Sequence, residues 1–201
     1  MESYPSFNNI VVNEHIIAFD KIDGSNIRAE WSRKTGFSKF GSRRKLINEQ
    51  EPILGEAIPL FQEKYADTLE EIFRKNKFQR ATAFFEFYGE NSFAGFHEKE
   101  PHDVLLFDIH VYRTGMMTGK EFLKLVGNKV ETPEVLYEGK PNKPFLESVW
   151  DSSLEGMTFE GVMCKGSLDN RNRPQNFKVK SRAWLNKLRN RFDAETYNRL
   201  K

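Results

Sequence analysis

The chain has 201 residues, of which 31 are Lys or Arg and 29 Asp or Glu, a net charge of +2, and its 18 Phe, 6 Tyr and 3 Trp supply core material that a disordered chain lacks. At this length roughly 70% of the unfolded surface is buried on folding, so a core needs no staples. The single cysteine, Cys164, excludes an internal disulfide and a multi-cysteine zinc site; together with an N-terminus Met1-Glu2-Ser3-Tyr4-Pro5 that lacks a basic start or an apolar core, it points to the cytoplasm, or to a host cytoplasm for a viral protein.

In chain order, Ile10-Val11-Val12 and His15-Ile16-Ile17-Ala18-Phe19 are short apolar runs, and Ile27, Ala29 and Trp31 alternate with polar residues. This reads as two strands joined through a charged turn at Lys21-Ile22-Asp23-Gly24. From 59 to 78, Leu60, Phe61, Tyr65, Leu69, Ile72 and Phe73 recur at helical spacing behind Pro59. Branched and aromatic clusters predict strands at 81–88, 104–112, 158–165 and 176–181. Shorter helices are expected at 119–126, between Thr118 and Gly127, at 145–150, and from 182 to the C-terminus. No repeat and no linker-like stretch interrupts the chain, so residues 1–201 read as one α+β domain.

Charge is unevenly placed. Between Arg171 and Arg191 there are eight Lys and Arg and no Asp or Glu, which leaves an acidic remainder and suggests either a polyanion site or a solvated helix face. Lys21 emerges from an apolar run, where desolvation and neighbouring cations lower a lysine pKa toward a nucleophilic value; as an ordinary turn lysine it has no such role. Glu86 and Glu90 bracket Phe87-Tyr88-Gly89, and Glu160 precedes Gly161-Val162-Met163; each could simply end a strand. Lys178 and Lys180, two apart in a strand, present both amines to one face and need an anion between them. His15, His97, His102 and His110 show no paired ligand spacing, and Cys164 reads as an inert buried thiol.

Six blocks in order, Lys21-Ile22-Asp23-Gly24, Ser42-Arg43-Arg44, Phe87-Tyr88-Gly89-Glu90, Phe107-Asp108, Glu160-Gly161-Val162-Met163 and Lys178-Val179-Lys180, resemble motifs I, Ia, III, IIIa, IV and V of the covalent nucleotidyltransferases. Within that superfamily the chain is most similar to ATP-dependent RNA ligases of the phage type that seals nicks in duplex RNA. The resemblance implies an adenylyltransferase (ATP-grasp-like ligase) fold of mainly antiparallel sheets with flanking helices. It implies a lysyl-AMP at Lys21, transfer of AMP to an RNA 5′-phosphate, and joining to a 3′-OH, with magnesium or manganese as the metal. Lys178 and Lys180 would hold the α-phosphate and Glu160 would place the metal. Asp20, Asp23, Gly24, Arg43 (with Arg44 as the alternative), Glu90, Phe107 and Asp108 would line the nucleotide site, Glu90 at the ribose and Phe107 on the adenine.

Only 21 residues follow Lys180, so the resemblance implies the nucleotidyltransferase domain without an OB-fold or other second domain. The basic helix at about 182–201 is then either an RNA contact, through Arg182, Lys187 and Arg189 with Trp184 as a stacking ring, or a helix whose Trp184, Leu185 and Leu188 pack inward. A monomer is expected, and an accessory protein could replace the absent clamp. The same motifs occur in DNA ligases and capping guanylyltransferases. A non-catalytic nucleotide- or RNA-binding module is the reading from a different class, and the intact charged cluster speaks against it.

Overall fold

A computed structural model describes residues 1–5, 12–92, 94–170 and 173–200; Ile10, Val11 and Arg171 of the sequence reading lie outside them. The strands are β1 (Ile16–Asp20), β2 (Ser25–Ser32), β3 (Gly36–Ser42), β4 (Leu46–Ile47), β5 (Arg80–Tyr88), β6 (Asp103–Val111), β7 (Gly115–Met116), β8 (Val135–Gly139), β9 (Gly161–Lys165) and β10 (Phe177–Lys180). The helices are α1 (Ala57–Phe61), α2 (Asp67–Lys75), α3 (Gly119–Val126), α4 (Lys143–Trp150), α5 (Arg182–Arg191) and α6 (Ala194–Leu200). The α+β class is as expected. The elements form two antiparallel sheets in two compact units, and β1 and β2, adjacent in sequence, belong to different sheets rather than to one hairpin.

The first unit, built mainly on Gly24–Gly89 and Glu100–Thr132, holds the six-stranded sheet in the order β4-β3-β2-β5-β6-β7. Ile27, Ala29 and Trp31 of β2 are fully buried, as their alternation predicts. The intervening Arg28 and Glu30 are buried too, because the chain start lies over them: Arg28 donates to the Glu2 carbonyl at 3.1 Å, and the Met1 ammonium is 3.4 Å from Glu30. The expected long helix is instead α1 and α2 separated by a π turn over Gln62–Ala66. Its apolar side still packs as one surface: Phe61 stacks on Phe85 at 4.7 Å and Phe73 meets the Trp31 edge at 5.4 Å. Each such ring contributes on the order of 2–3 kcal/mol through burial. Thr118 and Glu121 close a capping box that starts α3, and Gly127 (φ +53°) ends it.

The second unit contains the segment ending at Asp23, Glu90–Lys99 and the chain from Pro133 onward, with the four-stranded sheet β10-β9-β1-β8. Register assigns its two faces. Ala18 opposes Cys164, which opposes Phe177, and these residues with Ile16, Val162 and Val179 pack on Phe145 and Val149 of α4. Phe19, Met163 and Lys178 occupy the other face. The expected strand at 158–165 starts only at Gly161, whose φ of +136° and closeness to Val179 exclude a side chain. Glu160 therefore sits in the turn before β9. The single helix expected from 182 onward is two, because Asp193 accepts from the Thr196 N–H at 2.8 Å at the start of α6. Among the described residues no helix is long and apolar enough to cross a membrane.

Candidate active site

The lysine face of the second unit gathers the charged residues of its motif blocks. Lys21 follows β1 directly, and its backbone N–H donates to the Gly161 carbonyl at 3.0 Å, which ties the turn to the start of β9. Glu160, one residue before that carbonyl, is only 3% exposed. Its Oε2 lies 3.0 Å from Lys21 Nζ and its Oε1 3.3 Å from Lys180 Nζ, so one buried carboxylate separates two ammonium groups. Of the two lysines two apart in β10, Lys180 thus has its anion in Glu160, which it shares with Lys21. A buried ion pair of this kind repays its desolvation poorly unless every charge has partners, so its presence points to use rather than to stability.

Lys180 is 9% exposed, and burial brings its pKa down to about 8, helped by the charges of Lys21 and Lys178 and opposed by Glu160. Its Nζ also donates to the Leu200 carbonyl at 3.0 Å and lies 3.8 Å from the centre of the Trp184 ring. Lys178 shares the face, by register with Met163 and by its electrostatic effect on Lys180.

Asp23 is 1% exposed and held at both oxygens: Oδ1 accepts from Trp184 Nε1 at 3.1 Å and Oδ2 from the Ala94 N–H at 2.9 Å. Burial, with the Glu160 charge, raises its pKa against the pull of these bonds and of Lys21. Asp20, at the end of β1, points to the α4 side; it accepts from the Thr158 N–H at 3.1 Å and burial raises its pKa. It thereby holds the approach to Glu160. Glu90 is exposed and follows Gly89, whose φ of +120° only glycine adopts readily.

In the first unit, Gly24 enters β2 so close to β5 that a Cβ would lie 2.4 Å from the Phe87 carbonyl oxygen. Arg43 and Arg44 are exposed at the turn between β3 and β4, and Arg43 is near enough to affect the Tyr4 phenol electrostatically. Phe107 lies at a bulge in β6, between Leu106 opposite Phe85 and Asp108 opposite Phe84, and meets the Tyr4 ring edge-on at 4.9 Å. Asp108 is fully buried and accepts from the Tyr4 hydroxyl at 3.0 Å and from the Ile109 N–H at 2.8 Å. Tyr4, which no local pattern in the sequence marks, thus fixes both motif IIIa residues.

The basic helix divides. Trp184 is 2% exposed and packs with Ala94 and Leu188, the inward-packing alternative of the two readings rather than the surface stacking ring. Lys187 donates to the Gly95 carbonyl at 3.1 Å and Arg189 lies over the Tyr197 ring at 5.2 Å, so both exposed cations also brace their own unit. Arg182 is exposed in the first turn of α5.

The second unit's lysine face thus brings Lys21 and Lys180 to one buried carboxylate, with Lys178 on the same face. The sequence model of the RNA ligase family matches residues 14–183, most of the chain, and the protein belongs to that family. Among solved structures, a variant of Naegleria gruberi RNA ligase with ATP and Mn aligns with a TM-score of 0.66 at 17% identity, over 89% of this chain and 52% of that one. The Naegleria gruberi RNA ligase with PPi gives 0.66 at 18%, over 89% and 53%. An apo variant gives 0.69 at 16%, over 92% and 57%. At such identities the likeness shows the fold, and the chain spans about half the length of these proteins. No curated protein matches the sequence.

Proposed function

We propose that the protein is an ATP-dependent RNA ligase whose nucleophile is Lys21. The observation that carries this reading is the Glu160 carboxylate seated between Lys21 Nζ (3.0 Å) and Lys180 Nζ (3.3 Å). Lys21 Nζ attacks the α-phosphorus of ATP; the P–N bond forms, the bond to pyrophosphate breaks, and the proton leaving the amine has Glu160 Oε2 beside it. Lys180 and Lys178 hold the negative charge that develops on the phosphoryl oxygens. AMP then passes to an RNA 5′-phosphate as the P–N bond breaks, and attack by a 3′-OH forms the phosphodiester and releases AMP.

A divalent ion fits the same residues. No group of three metal-ligating side chains occurs among the described residues, but magnesium and manganese bind through one or two carboxylates together with substrate phosphates, and Glu160 is such a carboxylate. The ion would supply charge neutralisation at the phosphates. That Naegleria gruberi RNA ligase was solved with ATP and Mn, and with PPi, supports this choice of nucleotide and metal.

Asp23 and Glu90, and in the first unit Gly24, Arg43, Phe107 and Asp108, take the nucleotide-binding roles the motifs imply, with Asp20 a support for the Glu160 turn. Arg182, Lys187 and Arg189 contact RNA; the protein is a cytoplasmic monomer, and an accessory protein or further domain completes the duplex clamp. The test is sealing of nicked duplexes with a labelled 5′-phosphate. Joining at RNA nicks but not DNA nicks supports the reading, joining of DNA alone moves the protein to the DNA ligases, and use of GTP alone moves it to the capping enzymes.

A further inference from the structure

One residue touches two of the charged groups at once and belongs to none of the motif blocks. Trp184, in the first turn of α5, gives its indole N–H to Asp23 Oδ1 at 3.1 Å while the face of its ring lies 3.8 Å from Lys180 Nζ. Its own position is fixed from outside: the Ser181 hydroxyl caps α5 by accepting the Trp184 N–H at 3.1 Å and donates to the Phe159 carbonyl at 2.7 Å, next to Glu160. Ala94 and Leu188 pack against the ring.

We infer that Trp184 is a positioning residue that sets Asp23, and through it the Lys21 turn, while flooring the Lys180 ammonium. The inference rests on the adenylyltransferase reading of the same site. Three points of geometry carry it. Asp23 lies two residues from Lys21 and, held by Trp184 on one oxygen and Ala94 on the other, has little freedom to swing. Indole is the aromatic side chain that offers both a strong π face for an ammonium and an N–H donor for a carboxylate. Lys180 is otherwise surrounded by Glu160, the Leu200 carbonyl and the like charges of Lys21 and Lys178, so the ring is the neutral surface against which it is seated.

The two contacts separate by substitution. Trp184→Phe keeps a ring face and deletes the N–H; Trp184→Leu deletes both. In single-turnover adenylylation of the full chain with ATP and magnesium, Trp184→Phe is expected to lower the rate constant roughly ten- to a hundredfold, the loss of a hydrogen bond to a charged group, with the half-saturating ATP concentration unchanged. Trp184→Leu is expected to raise that concentration as well, and Phe to restore it. Asp23→Asn combined with Trp184→Phe is expected to be no slower than the slower single variant, because the indole N–H acts through Asp23 alone. A role in folding alone instead lowers the amplitude, the fraction of chains adenylylated, and leaves the rate constant intact; that result, multiplication of the two losses, or a Phe variant as fast as wild type overturns the inference. The indole proton signal of the nucleotide-free chain reads the bond without catalysis. It is expected to shift upfield in Asp23→Asn, and an unmoved signal refutes the contact. Absence of any adduct in the wild-type chain, with that shift present, would sink the ligase reading alone.

Discussion

Replacing Lys180 with Met should stabilise the nucleotide-free protein. The drop of the Lys180 pKa from the ordinary 10.5 to about 8 means that the folded state holds the charged form at a cost of about 3 kcal/mol relative to the unfolded chain. The sign follows from which state binds the proton more tightly. The unfolded chain does, so the cost is present in full below about pH 8, shrinks as pH rises from about 8 to 10.5, and vanishes above. Met fills a similar volume without the charge, although it also takes a partner from Glu160, which keeps Lys21. Lys180→Met is expected to be more stable by about 1–3 kcal/mol at neutral pH, with a gap that closes by about 2 kcal/mol near pH 9.5. Urea unfolding of both proteins at the two pH values measures this, and the comparison cancels other titrations. A gap that does not change with pH would refute the reasoning. The same variant is expected to lose adenylylation, so stability and activity should move in opposite directions.

Gly161→Ala places a Cβ 2.1 Å from the Val179 carbonyl oxygen at φ +136°; a loss of roughly 2–4 kcal/mol by thermal or urea unfolding is expected, and near-neutral behaviour would contradict the register of β9 and β10. Thr118→Ala opens the capping box of α3 and is expected to cost about 1 kcal/mol in the same assay. Cys164 is buried with its thiol pKa pushed up by desolvation, so a thiol reagent should label it slowly in the folded protein and fully in denaturant. Rapid labelling in buffer would place it elsewhere than in the apolar cluster.

Much of the fold was legible because local pattern and tertiary context agree. β5, β6 and β10 fall within a residue or two of their predicted spans, and α3 matches at both ends, where Thr118 and Gly127 mark it chemically. β3 escaped notice since Ser38 and Lys39 are exposed and Gly36 and Gly41 dilute its pattern, while β4 and β7 have two residues each and exist through their neighbours. The division of β1 and β2 between two sheets has no signature in a four-residue charged turn. At the site, the period of two correctly put Lys178 and Lys180 on one face, and motif order singled out Lys21 and Glu160. What the sequence could not show is who holds whom: Trp184 and Asp23 lie 161 residues apart and Tyr4 and Asp108 lie 104 apart, and no local rule links them.

The most direct test is the mass of the intact protein after incubation with ATP and magnesium, beside a Lys21→Ala control. Lys21 is the group whose amine meets Glu160 at 3.0 Å, and the account predicts an increase equal to one AMP on the wild-type chain, absent from the control and reversed by added pyrophosphate. A folded wild-type protein that gains no mass, or a control that gains as much, would contradict it.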